Sequence, residues 1–389
     1  MKLIKIVLLS VWAMVSGTVA GAQESQMQDV FGAISHGAGP AAFGVVSGSS
    51  LMSIYGTVDA GVNYTRSGGQ GTLRLQSGDD FTSKFGFYGQ EDLGARWTSF
   101  FRLESGFYSN SGALQSSSTL FNRAAILGLQ NPQYGQIMLG RQYTSLALAA
   151  LMADPFLGVA HDSVFSYMIG VSDLGTGASN DTMARLNNTI RYSSPRFAKY
   201  FVFDASYSLK SDQTVGPATE ARTGTLSYND GATFVEGAFG QNWCDPSVSG
   251  SCTGSSGIAP SKRTDTYMIN VIRDFGPFIG SAAYIRFVPQ NDGTAIANLY
   301  MLSVQKMRGN DLFRALIAYR RTSVDGDWSY GTTLGINHFL SKRTSVYARA
   351  GFLHNGPHSS LTYNYDNGVP VAAVGETIMS VTLGMIHNF

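Results

Sequence analysis

Past its N-terminal segment the chain has no apolar run approaching the roughly 18 residues that a transmembrane helix requires, which excludes a helical membrane protein. Charge is scarce: 14% of residues are Asp, Glu, Lys or Arg, against about 25% in an average soluble domain. The formal net charge is +1 and no basic stripe occurs, so nucleic acid is not an expected partner. Cysteine is almost absent. Cys244 and Cys252 stand without a nearby histidine, and the histidines (His36, His161, His338, His354, His358 and His387) are scattered without ligand spacing. No metal site and no cofactor is expected from such a set. There is no Ser-His-Asp arrangement and no phosphate loop. The adjacent carboxylates Glu91 and Asp92 fall on a turn, where solvation is the simpler role. The chain is not expected to be an enzyme.

What is present points the other way from a soluble domain. Glycine is abundant at 45 residues, aromatics reach 12%, and mean hydropathy is −0.00. An apolar outside wrapped around a polar inside would give that balance, as in a membrane β-barrel. The N-terminus carries Lys2 and Lys5, then an apolar stretch from Ile6 to Val15, then Ala20-Gly21-Ala22. This is the pattern of a secretory signal peptide cleaved after Ala22. Loss of both lysines takes the formal charge from +1 to about −1. An exported chain meets an oxidising compartment, where Cys244 and Cys252 are able to bridge the short loop between them.

The clearest strand is the last. In Thr377–Phe389 the residues Met379, Val381, Leu383, Met385 and Phe389 are apolar, while Ser380, Thr382, Gly384 and Asn388 are small or polar; Ile386 is the exception. A period of two gives one oily and one wet face, and a span of roughly 9–11 tilted residues crosses a hydrocarbon core. Similar segments run from Met52 onward. Tight turns such as Glu91-Asp92-Leu93-Gly94, Asn229-Asp230-Gly231 and Arg308-Gly309-Asn310 alternate with longer loops. Counting segments gives an all-β, 16-stranded antiparallel transmembrane barrel with short periplasmic turns and long extracellular loops. Residues 1–22 are read as signal peptide, 23–49 as a flexible leader, 50–389 as barrel, and 144–184 as a long loop.

Several stretches carry a resemblance. They are Ile54-Tyr55-Gly56-Thr57-Val58-Asp59-Ala60-Gly61, Lys84 through Gly94, Phe101-Arg102-Leu103-Glu104-Ser105-Gly106-Phe107, Phe121-Asn122-Arg123 through Gly128-Leu129, Leu139-Gly140-Arg141-Gln142-Tyr143, Arg185 through Pro195, Leu340-Ser341-Lys342-Arg343-Thr344 and the terminal Phe389. In order and spacing they resemble the general trimeric porins of Gram-negative bacteria, in their β-proteobacterial form. The resemblance covers about residues 50–389 and departs at 23–49; the cysteine pair is not a general feature of the family. It implies an outer-membrane, water-filled channel for ions and small hydrophilic solutes, a homotrimer in outer-membrane lipid, and a third loop, here 144–184, folded inward as the constriction. A substrate-specific channel for a sugar or organic acid on the same barrel is the alternative, and a barrel enzyme a more distant one.

A pore needs a constriction and fixed charges rather than reactive groups. Parity turns Lys84 inward, because Phe85, Phe87 and Gly89 face out, and turns Arg102 and Glu104 inward opposite Phe101 and Leu103. Arg123 is grouped with Ala125, and Arg191 with Thr189. A charge on the lipid face would cost about 2–4 kcal/mol at the midplane. Strict alternation puts Arg141 on the oily side with Ile137 and Leu139; the resemblance puts it in the basic ladder, so a bulge or strand end near Gly140 is expected. The acidic candidates opposite are Asp154 and Asp162, whose alternative role is to shape turns in the loop.

Overall fold

A strand crossing hydrocarbon must satisfy every backbone N–H and C=O within the protein, which only a closed sheet achieves. The computed structural model describes residues 44–47, 50–158, 185–209, 220–244, 262–290, 293–363 and 372–389. Its strands are β1 (Gly44–Ser47), β2 (Ser50–Ser67), β3 (Gln70–Ser77), β4 (Lys84–Gly94), β5 (Trp97–Gly106), β6 (Ala124–Asn131), β7 (Gly135–Tyr143), β8 (Arg185–Ser193) and β9 (Phe201–Ser208). They continue as β10 (Glu220–Asn229), β11 (Thr233–Cys244), β12 (Lys262–Asp274), β13 (Ile279–Pro289), β14 (Ala297–Arg308), β15 (Asp311–Thr322), β16 (Trp328–Phe339), β17 (Thr344–Asn355) and β18 (Thr377–Asn388). One helix, α1 (Ser145–Ala153), follows β7. Consecutive strands from β4 to β18 pair antiparallel, β2 pairs with β4, and β18 returns to β2, so the barrel closes with 16 strands.

The seam between β18 and β2 is where the terminal strand does its work. Met379–Asn388 lie opposite Thr57–Arg66. Gly56 and Phe389 then exchange backbone hydrogen bonds of 3.0 Å in both directions, so the last residue completes the ladder. The other edge of β2 is shared, with Leu51–Thr57 facing β4 and Ala60–Ser67 facing β3. Two elements go beyond the segments expected from periodicity. Gly44–Ser47, assigned by sequence to the leader, pair with Ser50–Ser53; and β3 turns the first long loop into a hairpin. The hairpin tip is tied down by Glu376, whose carboxylate accepts from Gly68 N at 2.9 Å and Gly69 N at 2.7 Å. Burial disfavours that charge, but the backbone N–H groups of Gly69, Ala373 and Gly68 outweigh it and hold Glu376 below the usual carboxylate range.

Alternation holds along the outer wall. In β18, Met379, Val381, Leu383 and Met385 are exposed while Ile378, Ser380, Thr382 and Ile386 are buried. Rings collect at both ends of the apolar band, as interfacial girdles do. Near the short turns Trp97 stacks on Tyr134 with centroids 5.7 Å apart, and Phe275 on Phe278 at 5.1 Å. Toward the long loops Tyr284, Tyr300 and Tyr319 form a row, with centroids 5.1 and 6.3 Å apart.

The inner wall is not uniformly polar. Met268, Ile285, Leu299, Met301, Leu316 and Leu353 point inward on β12–β17, and they form one buried cluster with Leu146, Ala149, Ala150, Ala153 and Phe156. Helix α1 supplies the cover. Its Ala- and Leu-rich sequence favours helix, and Thr144 caps it by accepting from Ala147 N. Thus the described start of the long loop lies inside the barrel against one wall.

Glycine at the seam is required by a close approach. Tyr347 lies across Gly384, where a Cβ would meet its ring and hydroxyl at 2.4 Å, and its hydroxyl reaches Asp59 Oδ1 at 2.6 Å. Gly384→Val is expected to displace Tyr347 and lower barrel stability by about 1–3 kcal/mol, as overpacking does; urea unfolding in detergent would show the earlier midpoint.

Candidate pore site

The first charge cluster forms around Glu104. The β4–β5 register sets Glu104 opposite Gly86, and the ring of Tyr55 lies against Gly86, where a Cβ would come within 2.7 Å of it. Tyr55 then donates to Glu104 Oε2 at 2.9 Å. Arg102 reaches the same oxygen at 2.6 Å, Arg123 reaches Oε1 at 2.8 Å, and Lys84 lies 3.6 Å from Oε2. Three cations therefore share one carboxylate. The Glu104, Lys84 and Arg123 side chains are buried, whereas Arg102 keeps 24% of its side-chain surface exposed. Arg123 enters from outside a strand. It precedes β6, in which Ala124 is buried and Ala125 alternates with it, so its place comes from its bond to Glu104 and not from parity with Ala125.

Arg191 and Arg141 are separate from that cluster. Arg191 pairs with Asp204 at 2.7 Å, and Asp204 also accepts from Ser145 and Ser193. Ser145 N lies 3.0 Å from Thr223 Oγ1, so this group anchors the start of α1. At Arg141 the β7–β8 register shifts between Gly140 and Gln142. Gly140 has φ +119°, a conformation an L side chain rarely adopts, and a Cβ there would lie 2.0 Å from Ala125 O. The bulge leaves Arg141 bonded to Asn122 O at 2.7 Å and Asn187 Oδ1 at 2.8 Å.

Asp154 ends α1 and is 1% exposed. Its Oδ1 accepts from Phe156 N at 2.8 Å and its Oδ2 from Gly158 N at 3.1 Å. Its oxygens shape the turn, and its surface does not face open water. Asp162 and Cys252 lie outside the described residues, and Cys244 is the last residue of β11.

A second cluster escaped the sequence reading. Asp80, from the loop between β3 and β4, pairs with Arg314 at 2.7 Å and Arg349 at 2.5 Å, and accepts from Asn337 Nδ2 at 2.6 Å. Burial works against its charge, but the two guanidinium groups hold Asp80 below the usual carboxylate range. Phe156, 1% exposed, is held between the same arginines, 4.8 Å from Arg314 and 4.7 Å from Arg349. Arg314 also donates to Pro155 O at 3.2 Å. The inward-folded loop is thus clamped to β15 and β17 by cation–π contacts that are strongest where water is excluded. Alternation in β15 would have found Arg314, since Phe313 and Ile317 are exposed beside it while Leu312 and Leu316 are buried.

Removing one member of a buried ion cluster strands the rest, typically at 3–5 kcal/mol. Glu104→Ala should therefore destabilise the barrel by about that amount, because Lys84, Arg102 and Arg123 lose their shared carboxylate; denaturant unfolding in detergent measures it.

Comparison with known proteins agrees with the architecture. The Gram-negative porin family model matches residues 12–358. Outer membrane porin protein 32 of Delftia acidovorans is 26% identical over 362 residues, covering 90% of this chain and 97% of that one. An outer membrane porin protein of Bordetella pertussis is 25% identical over 364 residues, covering 80% of this chain and 91% of that one. Among solved structures, the anion-selective porin from Comamonas acidovorans superposes with a TM-score of 0.76 at 24% identity, over 87% of this chain and all of that one. A closed barrel, an inward-packed third loop and clustered lumen charges converge with these likenesses on one conclusion: the chain belongs to the Gram-negative porin family and forms an outer-membrane diffusion channel.

Proposed function

We propose that this porin passes ions and small hydrophilic solutes with a preference for anions, past a basic wall in which Lys84 and Arg123 are buried on Glu104 and Arg102 keeps the exposed charge. The observation that carries the preference is the Glu104 cluster, where three cations share one carboxylate and Arg102 keeps exposed surface. Fixed charge in a narrow passage is less screened than in bulk, so counter-ions are enriched there. The solved porin with the same fold from Comamonas acidovorans is itself described as anion-selective. Arg102, the most exposed member of the Glu104 group, acts directly on passing solutes. The channel works without chemistry of its own, as a homotrimer, after removal of residues 1–22.

Replacing Arg102 by Gln removes one pore charge and leaves Lys84 and Arg123 on Glu104. A unit charge at 4 Å is worth about 1 kcal/mol even in bulk water, so the anion-to-cation permeability ratio should fall several-fold. Reversal potentials across a salt gradient read this out. Lys306→Ala, on the exposed outer face of β14, should leave the potential in place. Equal shifts from both variants would overturn the constriction.

Cys244 and Cys252 bridge in the loop after β11. Mass spectrometry of protein alkylated without reductant should show both thiols blocked from the reagent; two alkylated cysteines would remove the bridge. Closing so short a loop contributes at most about 3 kcal/mol.

A further inference from the structure

Most outward-facing positions midway along the strands are apolar, while charged and polar residues such as Lys306 and Arg222 lie toward the strand ends, and one such group is closely set. Arg286, Asn298 and Arg321 stand in one cross-strand row on β13, β14 and β15. Their strand neighbours Ile285, Phe287, Ala318 and Arg320 are buried inside, so the row faces away from the lumen. It lies two residues beyond Tyr284, Tyr300 and Tyr319, on the side of the long loops. That is the level just outside an aromatic girdle, where lipid headgroups sit. Arg286 donates to Asn298 Oδ1 at 3.3 Å, and Tyr284 donates to the same atom at 2.8 Å. The outer strands of this row are two apart, about 10 Å at the backbone, within the joint reach of two arginine side chains on one group.

Below the row the wall is indented. Gly224 and Gly237 take outward positions on β10 and β11, and a Cβ on Gly237 would meet nothing within 4 Å. The groove is about 540 Å³ and is walled by Phe203, Leu226, Phe239, Ile269 and Tyr284. Its upper end meets the charged row, because Tyr267, also in the groove, pairs in register with Arg286. On the far side Arg222 lies two residues above Gly224, over the ring of Trp243 at 4.9 Å.

We propose that this face of β10–β15 binds a phosphate-bearing lipid of the outer leaflet, with its phosphate on Arg286 and Arg321 and one acyl chain in the groove over Gly224 and Gly237. Charge complementarity selects that occupant. Guanidinium forks suit phosphate oxygens, and an apolar groove continuous with the hydrocarbon band suits a chain. The nearby acids do not cancel the arginines. Asp265 is engaged by Arg263 at 3.1 Å and by Gln241 and Gln290, and Asp327 accepts from Thr322. Asp325 is exposed in the loop beyond β15.

The test titrates the purified full-length protein, in neutral detergent, with dimyristoyl phosphatidic acid and with dimyristoylglycerol, which has the same chains and no phosphate. Native mass spectrometry counts bound lipid. The wild type should hold the phosphatidic acid about tenfold more tightly, a charge-assisted margin. The double variant Arg286→Ala, Arg321→Ala should lose that preference, and Gly237→Phe should weaken both lipids. Heat-modifiable migration checks folding; should the double variant not fold, Arg321→Gln alone must lower the preference. An unchanged preference in the arginine variants overturns the headgroup site. Complete displacement of the lipid by inorganic phosphate overturns the chain-in-groove assignment. A disulfide-linked dimer of Gly237→Cys in isolated outer membranes overturns the lipid in favour of a second copy.

Discussion

The constraint on which this molecule depends is that lipid offers no hydrogen bonds. Every backbone group along the wall must be paired by a neighbouring strand, so the sheet must close. Closure is made by the chain's own end, with Phe389 and Gly56 exchanging backbone bonds. The side chains around that seam are fitted to it. Tyr347 crosses Gly384 and Gly61 and binds Asp59, and Asp59 in turn accepts from Asp80 N and Phe81 N at 2.7 Å each. The seam is therefore linked through Asp59 to Asp80, which pairs with Arg314 and Arg349 and so with the clamp on the inward loop. Wall and constriction share a single network.

That network explains why an apolar patch is tolerated inside a channel. Inner positions of β12–β17 such as Met268, Leu299 and Leu316 would face water in an empty barrel. They are covered by α1 and Phe156, and burial of each such side chain contributes about 1.5–3 kcal/mol. The described start of the loop, 144–158, is held by this burial and by two arginines at its corner. Arg102, which keeps exposed surface, stands on β5, outside the strands that the apolar cover packs against.

Much of this was legible in the sequence because membrane strands obey a strict period. Outward apolar residues in β18, inward Lys84, Glu104 and Arg191, and the sixteen segments could all be read from alternation and turn residues. What was not legible has physical reasons. The hairpin strand β3 carries Leu73 and Leu75 on one side of Arg74, but it occupies an edge of β2 that only tertiary pairing reveals. Helix α1 was hidden because its Ala- and Leu-rich run has no polar face, although Leu148, Leu151 and Met152 are only half-buried. The Asp80 cluster joins residues up to 269 positions apart, and local pattern carries no trace of which inward charges will meet. The role of Asp154 turned on a two-residue backbone contact that spacing to a Pro-Phe corner does not specify.

Arginine occupies three environments in this barrel, and the difference among them is instructive. Inside, Arg191 and Arg314 are paired with carboxylates in places nearly closed to water, where leaving a charge alone would be costly. On the inner wall, Arg102 is paired yet partly open, so its charge is tolerated and, under the proposed function, felt by solutes. Outside, Arg286 and Arg321 sit beyond the tyrosine row, and no carboxylate pairs with either among the described residues. Their charge is tolerable there because the wall at that height meets lipid phosphate and water instead of hydrocarbon. Position along the strand thus decides whether the compensating anion comes from the protein, the solute or the membrane. The same period of two that separates wet from oily faces also assigns each arginine its counter-charge.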